Sequence, residues 1–437
     1  MYTHRFVFHP LTNICIVRAA YKGSDGTVNA SGSALIQKAA NQSLTLDKLS
    51  VDEREFVDHA IAAEWINDDG TLNGTFSVVP TDETSSHLKR LQIELTRQCN
   101  LSCKYCYSES GPKQTSNLTL QDVKKILDDA SRLGCIWVDF TGGEPLLWPH
   151  WREAVSYARE LGLVVSIHSN GTTLNRDNLN YLKEVNVRNI QITFESHYPT
   201  VHDRIRGLKG AFIKSLNGAY LAKNMKLDVK ICLMGNKINK SHYCESALWF
   251  QASGFNISLD RVVDVGGEKE AKMGLTPAQY YEVVAPIVKH GINPSRICDN
   301  SISGNEVTNI EPLCGVAQSF VYLTADGEMA LCPTMTSREE TKFTGVSIRE
   351  MSLFDAWTRS EYFNKYRYTN CKNARSGACP SARDCGGGCR SNAYIDGGEI
   401  DSPDVVACNI HKNETPEFIN FYDLYYQGKF SMVSNNN

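Results

Sequence analysis

No run of apolar residues in this 437-residue chain is long enough to span a bilayer, which argues against a helical membrane protein. Charge of one sign is not in excess either. The 45 Lys and Arg against 49 Asp and Glu leave a net charge of −4, too balanced to point to nucleic acid or an anionic membrane surface as partner. The opening residues, MYTHRFVFHPLTN, lack the basic-then-apolar layout of a secretory signal, and a cytoplasmic location is the expectation. There is no internal repeat, and low complexity is confined to the terminal SNNN.

Cysteine, by contrast, is abundant, at fifteen residues. In a reducing compartment clustered thiols point to metal rather than to disulfides. One group occupies 99–106 and another runs from 298 to 408, with Cys135, Cys232 and Cys244 between them and Cys15 near the start. Those last four lie in or beside apolar strands or on a helix and are read as structural.

Three segments follow from the patterning. Residues 1–85 read as a strand pair, two short helices and a closing strand, with polar TDETSSH (81–87) as a linker. From 88 to 290 strands and helices alternate, with strands at 91–96, 136–140, 164–169, 189–195, 229–234 and 257–263. In the first intervening helix Thr119 stands three residues before Asp122, a capping pair, and Val123, Ile126, Leu127, Ala130 and Leu133 share one face. Repeated βα units imply parallel strands, in a barrel or an open sheet, with chemistry at their carboxyl ends. Residues 291–415 are rich in Gly, Asn and Cys and are expected to be held by metal rather than by a broad apolar core, with a hairpin at Asp326-Gly327. Residues 416–437 form a tail.

Cys99, Cys103 and Cys106 form C-x3-C-x2-C directly after the first barrel strand. Three thiolates can hold three irons of a 4Fe–4S cube and leave the fourth iron open. A zinc site completed by a distant fourth ligand is the alternative. One βα unit later comes Thr-Gly-Gly-Glu-Pro at 141–145, where two glycines permit close backbone approach to a ligand and Glu144 offers a carboxylate to an ammonium group.

Together these two motifs resemble the radical S-adenosylmethionine (radical SAM) superfamily, with Tyr105 as the aromatic before the last cysteine. The resemblance implies an α/β fold with a partial (β/α)6 TIM-like barrel. It also implies S-adenosylmethionine on the open iron, cleaved to a 5′-deoxyadenosyl radical that takes a hydrogen atom from substrate. Cofactor contacts implied by it fall on Tyr105, Gly142, Gly143, Glu144, Pro145, Ser169, Asn170, Thr193, Glu195 and Lys214. At 192–196 the chain reads ITFES where related enzymes usually carry Ser-Leu-Asp-Gly, and HDRIRG (202–207) follows without an assigned role. Lys214 is equally readable as a solvated helix lysine, and His168 as the end of a buried strand.

The distal cysteines resemble the SPASM extension of radical SAM peptide-modifying enzymes: Cys314, twelve residues, Gly327, four residues, Cys332, then Cys371, Cys379, Cys385, Cys389 and Cys408. Seven residues separate Cys371 from Cys379 where two are usual, an insertion a loop tolerates. The resemblance implies two auxiliary 4Fe–4S clusters, on Cys298, Cys314, Cys332 and Cys389 and on Cys371, Cys379, Cys385 and Cys408. A zinc-ribbon reading is the alternative. The N-terminal unit is similar to the winged-helix-like recognition element of peptide maturases, which adds a leader peptide to a sheet edge; a structural cap is the other reading. The implied function is modification of a ribosomally made precursor peptide, with a flavodoxin- or ferredoxin-type electron donor. Cross-linking of an aromatic carbon to a β-carbon, as in Xye-type and darobactin-type maturases, leads; thioether formation, epimerisation and sulfatase-type oxidation stay open. A non-catalytic iron–sulfur sensor or scaffold is the alternative of another class.

Overall fold

A computed structural model describes residues 4–9, 14–19, 26–78, 88–187, 189–264, 272–288, 314–336, 343, 345–367, 369, 371, 379 and 387–412. The expected linker 81–87, Cys298, Cys385 and the tail lie outside the described residues. Two sheets are described, one of four strands and one of nine. No helix among the described residues is long and apolar enough to cross a membrane.

The N-terminal unit contains β1 (His4–His9), β2 (Ile14–Ala19), β3 (Gly26–Val28), helices α1 (Ala30–Ala40) and α2 (Val51–Ala62), and β4 (Gly74–Val78). Its sheet order is β3-β2-β1-β4, with β1 antiparallel to β2 and parallel to β4. Ser50 and Glu53 form a capping box at the start of α2, satisfying two N–H groups the helix leaves unpaired. Phe6, Cys15, Val17, Ile36 and Ala60 fill this unit's own small core.

The large sheet begins with six parallel strands: β5 (Arg90–Glu94), β6 (Trp137–Thr141), β7 (Val164–Ser169), β8 (Asn189–Phe194), β9 (Asp228–Gly235) and β10 (Asn256–Arg261). Helices α3 (Leu120–Arg132), α4 (Trp151–Glu160), α5 (Arg176–Glu184), α6 (Pro199–Arg206), α7 (Ala211–Asn224) and α8 (Tyr243–Ala252) fall between them, and α9 (Pro277–Val288) follows β10. Alternation sends Leu91, Ile93, Val138, Phe140, Val165, Ile167, Ile190, Ile192, Val229, Ile231 and Leu233 into one apolar core. The opposite face carries Gln92, Asp139, His168, Gln191 and Lys230. Tyr105, in the loop after β5, bonds Glu195 just past β8, so that loop reaches across the ends of β6 and β7.

The C-terminal region departs from its expectation. After the hairpin β11 (Phe320–Leu323) and β12 (Glu328–Ala330), the short β13 (Val346–Ser347) completes the sheet. Strand β11 lies parallel to β5, pairing Phe320 with Arg90 through Leu323 with Ile93, so the hairpin extends the barrel sheet. Helices α10 (Leu353–Arg359), α11 (Glu361–Tyr366), α12 (Arg390–Gly397) and α13 (Val405–Lys412) follow. Leu353, Trp357 and Phe363 are fully buried in the same apolar core as the barrel strands. Arg349 makes a bidentate pair with Asp122 of α3 at 2.7 and 2.9 Å. The described residues of 314–336 and 345–367 are therefore packed onto the barrel by ordinary side chains, because large apolar residues there, Trp357 above all, sit at helical spacing that a cysteine-centred reading passes over.

The N-terminal unit is fixed to the amino ends of β6 and β7. Val7 packs on Ile136 and Val164. Buried Arg5 donates to the carbonyls of Cys135, Leu161 (3.1 Å) and Ser131 (3.2 Å), the latter two at the carboxyl ends of α4 and α3. A cation is favoured where helices leave carbonyls unpaired. Burial lowers the Arg5 pKa to about 10, which leaves it charged at neutral pH. Arg5→Met is expected to cost about 3 kcal/mol by leaving these carbonyls buried and unpaired, seen as faster amide exchange in β1 than in β6.

Candidate functional site

The site forms where the loop after β5 meets the loops after β6, β7 and β8. Leu95 donates to the Thr141 carbonyl, Gly143 to Thr96 (2.7 Å) and Glu144 to Gln98 (3.0 Å), so the cysteine loop and the Gly-Gly-Glu turn are zipped backbone to backbone. A Cβ on Gly142 would lie 2.4 Å from the Thr96 carbonyl oxygen, and one on Gly143 2.3 Å from that of Gln98. Gly142 also has φ +141°, a conformation L residues avoid. The glycines are thus required by protein backbone. Sequence reasoning had related them only to ligand approach.

Each thiol of the loop meets donors. Cys99 Sγ accepts from the Leu101 N–H at 3.4 Å and from Asn170 Nδ2 at 3.7 Å. Cys103 Sγ accepts from Arg206 Nη1 at 3.6 Å. Cys106 Sγ accepts from the Ser110 N–H at 3.3 Å and lies 3.4 Å from Ser108 Oγ. Burial above all pushes Cys99 up to about 12 and Cys103 up to about 11, with neighbouring loop sulfurs contributing to both rises. Without metal Cys99 and Cys103 are thiols; iron ligation would deprotonate them. Donors aimed at all three sulfurs suit thiolate ligands of a cluster, whose sulfurs such bonds stabilise. Among the described residues no group of three or more His, Cys, Asp or Glu side chains is already gathered around a metal-sized site.

Glu144 is fully buried. Its carboxylate accepts from Ser169 Oγ (3.0 Å), the Asn170 N–H (2.8 Å), Thr173 Oγ1 (2.9 Å) and the Leu146 N–H (3.4 Å). Burial raises its pKa and these bonds oppose the rise. The carboxylate is therefore committed to its own chain and shapes the loop after β7. Ser169 and Asn170 lie within that network, and Asn170 also bonds Asn100 at 2.9 Å. Pro145 is buried and opens a single 3-10 turn.

Glu195 is likewise committed. It accepts from the Tyr105 hydroxyl at 2.5 Å and Asn236 Nδ2 at 3.2 Å, and pairs ionically with Arg206, whose Nε lies 2.9 Å away. Thr193, at the end of β8, offers its carbonyl to Arg206 Nη2 at 2.7 Å. Lys214 is exposed on α7, whereas the adjacent Ser215 is buried and donates to the Asn170 carbonyl at 2.7 Å. His168 spans Gln92 (3.4 Å) and Asp139 (3.6 Å) on the polar face of the sheet, and burial lowers its pKa. Arg206, Asn236, Thr173 and Ser215 were not singled out in advance. HDRIRG was the one local signal for Arg206.

Away from this loop, Cys314, Cys332 and Cys389 come together. A hydrogen bond with Cys389 lowers Cys314 to about 7 against burial and against the nearby Cys332. Cys389 is the N-cap of α12, and its N–H donates to Asp404 at 2.8 Å. Cys371 is buried with Cys379 packed against it, and Cys408 lies on α13.

Residues 93–250 match the model of the radical SAM superfamily. The chain is 25% identical over 359 residues to an AdoMet-dependent heme synthase of Oleidesulfovibrio alaskensis, covering 74% of this chain and 88% of the relative. It is 24% identical over 322 residues to a PqqA peptide cyclase of Rhodopseudomonas palustris, covering 71% and 84%. Among solved structures, Streptococcus suis SuiB bound to its precursor peptide SuiA superposes with a TM-score of 0.63 at 14% identity, over 93% of this chain and 98% of that one.

Gly143→Ala is expected to push the two loops apart at a cost of about 1–3 kcal/mol, read as reduced iron per chain after anaerobic reconstitution. Gly111→Ala, where the nearest atom is 4.0 Å away, is expected to retain its iron.

Proposed function

We propose that this chain, a radical SAM enzyme whose superfamily domain spans residues 93–250, modifies a ribosomally made precursor peptide. The reaction we favour joins an aromatic carbon to a β-carbon. The observation that carries the reading is the three-thiol loop, with a donor on every sulfur, held against the Gly142–Glu144 turn. The peptide substrate is supported by the relatives that act on peptides and by the likeness to SuiB, which extends over 93% of the chain.

Cys99, Cys103 and Cys106 would hold a 4Fe–4S cluster. With S-adenosylmethionine bound, that cluster supplies a 5′-deoxyadenosyl radical able to remove a hydrogen atom from a peptide carbon. Gly142, Gly143 and Pro145 would present backbone to the cofactor, and Glu144 would fix Ser169 and Asn170 beside it. Tyr105, Thr193 and Glu195 line the neighbouring strand end, and Lys214 would serve the cofactor carboxylate only by reaching back from the helix surface. Cys298, Cys314, Cys332 and Cys389 would hold one auxiliary cluster, and Cys371, Cys379, Cys385 and Cys408 a second, completing a SPASM unit. A flavodoxin- or ferredoxin-type protein would deliver electrons, in the cytoplasm.

The N-terminal unit would take the leader as an added strand. Strand β4 is turned to the barrel, with Thr75 against Gly162, so the other edge, β3, is the one offered. The unit sits at the amino ends of the barrel strands, opposite the thiol loop. A peptide must then span at least one strand, about 20 Å or six extended residues, between the recognised segment and the modified one.

Cofactor cleavage tests the chemistry. The reconstituted protein with S-adenosylmethionine and a reductant should yield 5′-deoxyadenosine, and Cys99→Ala, Cys103→Ala or Cys106→Ala should reduce the yield to background. No 5′-deoxyadenosine from cluster-replete protein would sink the reading. Cys314→Ala should keep cofactor cleavage and lose peptide modification. Short open reading frames beside the gene, co-expressed and weighed, separate the reactions. Loss of two hydrogens supports a cross-link, and unchanged mass with inverted stereochemistry supports epimerisation.

A further inference from the structure

The HDRIRG segment turns out to clasp the cysteine loop from one side. Ser102 donates to the Arg206 carbonyl and Lys104 to that of Ile205, each at 3.1 Å. A Cβ on Gly207 would stand 2.6 Å from the Ser102 carbonyl oxygen. Asp203 caps the start of α7 through the N–H groups of Gly210 (2.6 Å) and Phe212 (2.8 Å), which anchors the clasp. The result places one guanidinium, buried to all but 6%, between a loop sulfur and a carboxylate. Arg206 donates from Nη1 to Cys103 Sγ at 3.6 Å and from Nη2 to the Thr193 carbonyl at 2.7 Å, and its Nε lies 2.9 Å from Glu195 as an ion pair. A planar guanidinium holds its two donated bonds and the ion pair in one fixed plane, which the point charge of an ammonium does not do.

We propose that Arg206 and Glu195 are positioning residues that set the reduction potential of the cluster on Cys99, Cys103 and Cys106, acting in opposite directions through Cys103. The inference rests on Cys103 being a cluster ligand, as in the function proposed above. Reduction adds negative charge to the cluster. A buried cation with an N–H directed at one ligand sulfur favours the reduced state, since hydrogen bonds to sulfur and net charge both set such potentials. Glu195 lies on the far side of the same guanidinium and is fully buried. It offsets part of that charge, and the low dielectric keeps both effects strong. Tyr105 and Asn236 pin the carboxylate so that it faces Arg206.

The two signs distinguish tuning from packing. The measurement is a redox titration followed by electron paramagnetic resonance on the full-length reconstituted protein, alongside iron per chain. The relevant signal is the one that changes on adding S-adenosylmethionine and is missing from Cys103→Ala. Arg206→Gln is expected to lower the midpoint, cutting the reduced fraction at a fixed potential about tenfold, or about 59 mV for a one-electron couple. Glu195→Gln is expected to raise it, and Arg206→Lys to stay nearer the unmodified protein than Arg206→Gln does. If Arg206→Gln fails to hold iron, the other two variants decide, and an unmoved Glu195→Gln potential overturns the proposal. Shifts of the same sign in Arg206→Gln and Glu195→Gln overturn it, as does loss of iron from all three variants, which would mark the pair as packing alone. A protein whose signal survives Cys103→Ala would instead overturn the assignment of Cys103 as a ligand.

Discussion

The backbone zipper between Thr96–Gln98 and Gly143–Glu144 is the constraint on which the site depends. Two loops from adjacent parallel strands approach until a single methyl group would not fit between them. That contact sets the direction in which the cysteine loop leaves β5. It also places Glu144 beneath the loop after β7, whose Asn170 then reaches Cys99. A third side of the loop is held by the backbone of Ile205 and Arg206. The three thiols are thus gripped by the carboxyl ends of three further strands, in the place where parallel α/β sheets collect their ligands.

Two buried carboxylates divide the work. Glu144 is surrounded by neutral donors, and burial raises its pKa against them. Glu195 faces a guanidinium, and that guanidinium is held above its usual value by Tyr105, Cys103 and Glu195 although burial opposes this. The first carboxylate organises loops without a countercharge. The second carries an ion pair up to a sulfur. Burying a charge without such partners is costly, which is why each of these side chains is tied at both oxygens. On the polar face of the sheet, buried Asp139 is paired with Arg90, and His168 lies 3.4 Å from Gln92 and 3.6 Å from Asp139.

Apolar strand segments alternating with stretches of helical periodicity made the six parallel strands legible, since each βα unit returns the chain to the same end of the sheet. Thr119 and Asp122 announced the start of α3, where the structure has a capping box. The hairpin at Asp326-Gly327 was equally plain, with Gly327 at φ +88°. Its position beside β5 was not, because the pairing of Phe320 with Arg90 joins residues far apart in the chain. Nor does spacing say that Trp357 belongs to the barrel core. At the site, local motifs singled out the cysteines and Gly142–Pro145. Arg206, Ser215 and Asn236 escaped notice because an Arg, a Ser or an Asn on a helix or loop is ordinary until its neighbours are known.

By itself the sequence determined the parallel α/β architecture, the order of its strands along the chain and the three thiols with their glycine-rich partner turn. These are local matters: periodicity, caps, and residues a few positions apart. Tertiary structure decided what those residues touch. It turned the glycines into a backbone contact, gave Glu144 and Glu195 internal partners, aimed Arg206 at Cys103, and drew Cys314, Cys332 and Cys389 together from across 75 positions. The physical reason is that burial and hydrogen bonding depend on distance in space. A chain encodes that distance only through the packing of all its elements at once.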